Sequence, residues 1–224
     1  MVDLDALRGE VRRATGVVVG EGAVFGCPKE ARVQAAMASG TGEVGRCVDI
    51  GAGCLIFNHV VLYEGVQLGE GCVVEDRVRV GYDSVIGARS RLLYGAYICD
   101  RVQIGSGCRV AGFVCDGTWI GARCSVMGQL VHEYTRPHQG WWAVDEEPPR
   151  IEDDSIVAFG AHVVGGVTVG PRSYVAAGAI VTRDVPPEHV ATGANEFTPA
   201  DQWTGTRLRD WIEHWQKPGR SGAR

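Results

Sequence analysis

The sequence predicts an all-β protein wound as a three-sided parallel coil, and two periodicities carry that prediction. Read in sixes from Ile50 to Val110, the residues are Ile, Ile, Leu, Leu, Val, Val, Ile, Leu, Ile, Ile and Val, with no polar interruption. Four residues after each comes a small or β-branched set: Cys54, Val60, Val66, Cys72, Val78, Ser84, Ser90, Ala96, Val102, Cys108 and Val114. A helix repeats every 3.6 residues and an ordinary strand every two, so a sustained period of six fits neither. It fits a short strand and a turn, repeated, with the aliphatic chain inside and the small one where the backbone bends inward. The second periodicity is longer. Gly51, Gly69, Gly87 and Gly105 each follow an aliphatic position, 18 residues apart, so three sixes close one turn. Glycine there marks an edge of unusual dihedrals or close backbone approach.

Composition narrows the class. The 224 residues are 45% hydrophobic and 22% charged, with a net charge of −5. That balance gives no reason to expect a nucleic acid or an anionic membrane as partner. No apolar run approaches the ~20 residues of a spanning helix. Met1 to Arg13 lacks the apolar core of a secretory signal. Cys54, Cys72, Cys108 and Cys124 fall on the inward small position, so we expect free, buried thiols in a cytoplasmic protein. No cysteine pair has the close spacing of a zinc site, and no metal is expected.

In chain order, residues 3–14 read as a short helix. Asp3 or Asp5 caps it, Leu4, Leu7 and Val11 share a face, and Gly16 ends it. Residues 1–16 would then be a helical cap on the coil. Val19 and Phe25 begin an imperfect first coil. Residues 27–43 break the period as a loop or excursion, and regular sixes resume at Val44. After Val110 the register slips to Val114, four residues on, and Ile120 and Val126 restore it.

The repeat then stops at a 19-residue stretch, 132–150, rich in histidine, tryptophan, acid and proline. A loop of that length without structure of its own is uncommon in a compact domain unless functional or disordered. Sixes restart at Ile151 and run to Val181, and Pro186-Pro187 ends the coil. The coil domain is thus 17–190, with about eight coils at ~4.8 Å each. In the tail, 191–224, Thr198 to Lys217 reads as a helix with an apolar stripe of Trp203, Leu208, Trp211, Ile212 and Trp215.

The run Gly160 to Pro187, GAHVVGGVTVGPRSYVAAGAIVTRDVPP, resembles the C-terminal coils of the hexapeptide-repeat acyltransferase superfamily. The loop after broken sixes is similar to that of the galactoside and xenobiotic acetyltransferases and the sugar N-acyltransferases. The resemblance implies a left-handed parallel β-helix, a hand that the general crossover rule would not supply. It also implies a homotrimer, acyl-CoA (acetyl-CoA) as co-substrate, and direct attack of an acceptor amine or hydroxyl on the thioester. That chemistry needs a general base working near neutral pH, for which histidine is suited.

Two alignments of the resemblance compete for the base. One places Gln129, which cannot take a proton, at the histidine position. The other, counted back from Ile151, places His132 there. His132 can equally be a loop histidine packed against Trp141 or Trp142. Glu133 is the nearest carboxylate to orient a base. Arg136, His138, Trp141 and Trp142 are candidate acceptor contacts, the tryptophans suiting a sugar-like face. The resemblance carries over to Ala161, Ala177 and Thr182 as the border of a pantetheine arm. It puts Arg183 near the phosphates, where a permanent charge is useful. Asn58-His59 is too isolated from a second close histidine to form a zinc site.

Gly193-Ala194-Asn195-Glu196-Phe197 departs from the superfamily pattern, with a glutamate where a basic residue is usual. The expected function is therefore acyl transfer to a small polar acceptor. The alternative is a divergent isomerase, cyclase or lyase of a small-molecule pathway that no longer uses acyl-CoA. A third reading is a non-catalytic trimeric module that binds a partner through its tryptophan-rich tail.

Overall fold

The computed structural model describes residues 3–133 and 146–204. Three sheets of eight, ten and eight strands, parallel but for the last strand of the chain, form the walls of a left-handed β-helix. Each of eight coils gives one strand to each wall, beginning with Val11–Arg13, Val18–Val19 and Val24–Cys27. We call these the first, second and third walls. Most strands are two residues long, because only two residues of each six lie between bends.

The inward columns are as the period requires. Ile50, Ile56, Leu62, Leu68 and Val74 through Val110 are 0–4% exposed. At about 1.5–3 kcal/mol for each fully buried aliphatic chain, this column is the main source of stability. At the corner from the first to the second wall, the small side chain also donates a hydrogen bond to the next coil. Cys54 Sγ reaches Gly69 O at 3.1 Å and Cys72 Sγ reaches Gly87 O at 3.2 Å. Ser90 Oγ reaches Gly105 O at 2.9 Å, Cys108 Sγ reaches Gly121 O at 2.9 Å, and Ser155 Oγ reaches Gly170 O at 2.9 Å. A small donor is what the position selects, which is why cysteine and serine interchange there. All eight cysteines are free.

The 18-residue glycines have ordinary negative φ, and close approach is what they provide. A Cβ on Gly87 would lie 2.5 Å from the Gly105 carbonyl carbon and the Ser106 nitrogen.

Several expectations need correction. Residues 3–14 are not a helix. Asp5–Leu7 is one 3-10 turn, and Val11–Arg13 pairs in register with Val48–Ile50 as the first strand. Edge pairing to the next coil satisfies the backbone there, and Leu7 is buried beside Gly42. The α-helix is Glu30–Ser39, inside the excursion, closed by Gly40 in the left-handed region at φ 72°. Regular strands resume at Val48, and Val44 is 59% exposed.

The repeat does not slip once but twice. The corners Ala111-Gly112 and Met127-Gly128 are both two residues long, so Val114 pairs with Ile98 and Leu130 with Val114. Val114 thus belongs to the aliphatic column, and coil six closes through Gln129–Val131 before the loop begins. Beyond Pro187 the second wall gains two more strands. His189–Thr192 pairs parallel with Tyr174-Val175, and Glu196–Pro199 returns antiparallel to it. Thr198 therefore pairs with Val190 instead of capping a helix. Leu208, Trp211, Ile212 and Trp215 lie outside the described residues. No described helix is long and apolar enough to cross a membrane.

Candidate functional site

Both excursions leave the coil at the same corner, where the chain passes from the third wall to the first. The helical excursion joins Cys27 to Val48, and the loop joins Val131 to Arg150. Between them the corner is a ladder. Val80, Ile98, Val114 and Leu130 pair in register, so the residues two places on, Tyr82, Asp100, Asp116 and His132, stack one per coil. With ~4.8 Å between coils, each rung is next to its neighbour. Carboxylates lock the rungs. Asp100 Oδ1 accepts the Tyr82 N–H at 3.1 Å, and Asp116 Oδ1 accepts the Asp100 N–H at 2.7 Å. The ladder continues past His132 through Gly165 to Arg183.

His132 is the rung at which the loop departs. Its Nδ1 is buried and has no hydrogen-bond partner among the described residues. The next rung, Gly165-Gly166, has no side chains, and the loop ends occupy that space. Glu133 lies over Gly165 and Glu147 over Gly166, at 3.2 and 2.8 Å from where a Cβ would stand. Pro148 covers Gly117 on the rung below. The corner thus gathers a histidine with an unpaired ring nitrogen, Asp116 beneath it, and two glutamates above. Histidine beside carboxylates is an arrangement for moving a proton.

Gln129 sits on the third wall, opposite His162. Its side-chain carbonyl accepts the Phe113 N–H at 3.2 Å, so it is engaged in joining coils across the shortened corners. Arg136, His138, Trp141 and Trp142 lie outside the described residues. Ala161 is fully buried, its carbonyl accepting the Gln129 N–H at 2.8 Å. Ala177 is exposed at the corner between the second and third walls. Thr182 and Arg183 are on the ladder corner, at the far edge of the third wall from the two alanines. The C-terminal hairpin holds them. Thr182 N–H donates to Asn195 Oδ1 at 2.8 Å, and Asn195 Nδ2 donates back to Thr182 Oγ1 at 2.8 Å. Arg183 donates to Asn195 O at 3.1 Å and lies 5.7 Å from the Phe197 ring centre.

Asp100, Asp116 and Glu147 were not evident from the sequence. The legible signal was the spacing of 16 from Asp100 to Asp116 to His132, which appears once the second shortened corner is recognised.

The family model described as the hexapeptide repeat of succinyl-transferase matches residues 47–75, 77–111 and 148–183. The match shows that the chain is built of hexapeptide repeats of this kind. The three matched segments fall on coils two to five and on coils seven and eight, and they leave out coil six and almost all of both excursions. The bifunctional protein GlmU of Bordetella parapertussis is 27% identical over 205 residues, which cover 80% of this chain and 41% of that protein. GlmU of Herminiimonas arsenicoxydans is 26% identical over the same share of this chain and 42% of its own. The chain thus spans about two fifths of the length of these curated relatives. Among solved structures, the UDP-N-acetylglucosamine acyltransferase of Francisella novicida has a TM-score of 0.43 at 14% identity, covering 92% of this chain and 78% of its own. PerB from Caulobacter crescentus, solved with CoA and GDP-perosamine, has a TM-score of 0.36 at 20% identity. That match covers 82% of this chain and 97% of the other. Among the described residues, no group of three or more His, Cys, Asp or Glu could hold a metal ion.

Proposed function

We propose that the protein is an acyl-CoA-dependent O- or N-acyltransferase acting on a small polar acceptor, with His132 as general base. The observation that carries this reading is the Nδ1 of His132, buried and without a hydrogen-bond partner among the described residues, at the rung where the loop leaves the coil. A buried ring nitrogen without a partner in its own coil calls for an explanation, and proton exchange with a substrate supplies one. In the reaction, His132 takes the proton of the acceptor hydroxyl or amine as that atom attacks the thioester carbonyl. The tetrahedral intermediate collapses to the acylated acceptor and expels the CoA sulfur, which takes up the proton. Glu133 and Glu147 lie over the neighbouring glycine rung.

Thr182 and Arg183 stand two rungs from His132 and are exposed, with room for the phosphates of CoA beside the guanidinium. The resemblance to the hexapeptide-repeat acyltransferases supports a homotrimer. Eight free cysteines suit a reducing, cytoplasmic compartment.

Thermal unfolding with and without acetyl-CoA tests the donor. Ligand at 100 times its dissociation constant adds about 2.7 kcal/mol, a plain upward shift. No shift at millimolar acetyl-CoA overturns the reading in favour of a chemistry without CoA. His132→Ala should lower turnover by ~10²-fold or more while the melting temperature stays near the parent's. Turnover within a few-fold of wild type would remove His132 from the mechanism.

A further inference from the structure

The ladder corner below His132 opens into a cavity of about 860 Å³ that is not part of the residues assigned to acyl transfer. One wall is the excursion, through Lys29, Glu30 and Gln34. The floor is the third wall and its corner, through Arg79, Tyr82, Tyr97, Asp100, Arg101 and Asp116. Asp116, its uppermost rung, is directly beneath His132. The volume is within the ~300–1,000 Å³ of small-molecule sites.

The lining is balanced in charge. Glu30, Asp100 and Asp116 face Lys29, Arg79 and Arg101. Lys29 is committed to Asp83 at 2.8 Å, and Arg79 is stacked over the Tyr63 and Tyr97 rings at 4.4 and 4.6 Å. Arg79 also donates to Ile98 O at 3.1 Å. An ionic ligand of either sign would meet a like charge here. Hydroxyl groups would not, because each can donate to a carboxylate and accept from a guanidinium. Tyr97 is 44% exposed and offers ring surface at the same place. Burial raises the Asp100 carboxyl above its usual range, and Asp116 raises it further. A group that donates hydrogen bonds to it is therefore well matched.

We infer that this cavity binds a neutral, polyhydroxylated, sugar-sized molecule between the helix Glu30–Ser39 and the Asp100–Asp116 rungs. The inference rests on the acyl-transfer reading for the ligand's role as acceptor, with a hydroxyl delivered upward to His132. It rests on the cavity alone for the ligand's chemistry. It gives the excursion a purpose, since the helix buries only Ala36 and otherwise serves as a wall.

Saturation-transfer NMR tests it with D-glucose, D-galactose and sucrose as probes, against glutamate and spermidine as charged controls of similar size. Transfer to at least one sugar and to neither control is the expected result. Asp100→Asn and Gln34→Leu should each cut that transfer at least threefold, with a melting temperature no lower than the parent's and an unchanged acetyl-CoA shift. Transfer to no sugar, equal transfer to the charged controls, or undiminished transfer in both variants overturns the inference. Failure of the acyl-transfer reading shows up separately, as a missing acetyl-CoA shift with sugar binding intact.

Discussion

The carboxylate of Glu64 accepts the backbone N–H of Arg46 at 2.7 Å from a position with no solvent exposure. Its other oxygen accepts the N–H of Lys29 at 2.9 Å. One side chain therefore holds both ends of the excursion that forms a wall of the cavity. Arg32 adds two weaker contacts, at 3.2 and 3.4 Å. Glu64→Ala should open the segment 28–47 and cost roughly 3 kcal/mol, since it leaves Arg32 and two N–H groups without their partner. Hydrogen exchange should locate the loss in 28–47, with the strands of coils three to eight unchanged.

The same residue sets a pH dependence. Burial acts to raise the Glu64 pKa, but the N–H groups of Lys29 and Arg46 and the Arg32 guanidinium outweigh it, and the net shift is downward. A lowered carboxylate pKa stabilises the fold above the unfolded value, near 4.3 for glutamate, and that stability is lost as pH falls through the folded value. Wild type should weaken below about pH 4.3, and Glu64→Gln should lose part of that acid limb. Urea midpoints from pH 2.5 to 7 measure it. Parallel curves for the two proteins would show that Glu64 does not titrate with folding.

Gly87→Ala places a methyl 2.5 Å from the backbone of the coil above. The coils cannot separate locally without breaking the ladder, so the cost should be at least about 1–3 kcal/mol. Gly53 has φ +67° but nothing within 4 Å of a Cβ. Gly53→Ala should cost only about 1–2 kcal/mol, from backbone strain alone. Calorimetric melting of the two variants separates close approach from dihedral demand.

Ser90 Oγ donates to Gly105 O and accepts the Cys108 N–H at 3.0 Å, joining two successive coils. Ser90→Ala should cost about 1–3 kcal/mol by leaving buried groups unpaired. Ser90→Cys should be milder, because Cys72 and Cys108 occupy the equivalent places in adjoining coils. If Ala and Cys melt together, packing alone governs the column.

Asp100→Asn should be neutral or slightly stabilising at pH 7. The raised carboxyl pKa means that the ionised form opposes folding once pH exceeds the usual aspartate value, near 3.9. Asparagine keeps an oxygen for the Tyr82 N–H and removes the charge facing Asp116. The variant should melt at or above the parent temperature at pH 7 and below or level with it near pH 3.

The architecture was legible because it repeats. Each six encodes its own bend and its own inward pair, so Ile50 to Val110 read without knowledge of any partner. His132 was reachable for the same reason, as the first titratable group after the aliphatic column. Its neighbours were not. Asp100 and Asp116 join it only when Ala111-Gly112 and Met127-Gly128 are both seen as short corners, and the second was hidden by the start of the loop. The helix expected at 3–14 and found at 30–39 has a related cause. Propensity supports a helix at either place, but Val11–Arg13 has an exposed strand edge beside it to pair with.

Chain chemistry alone thus settles the coil, its pitch and its inward columns, since these depend on residues six and 18 apart. The cavity, the clamp at Glu64 and the company His132 keeps depend on register between coils. Register is a sum over every corner, so a two-residue change in one moves every later residue against its neighbours.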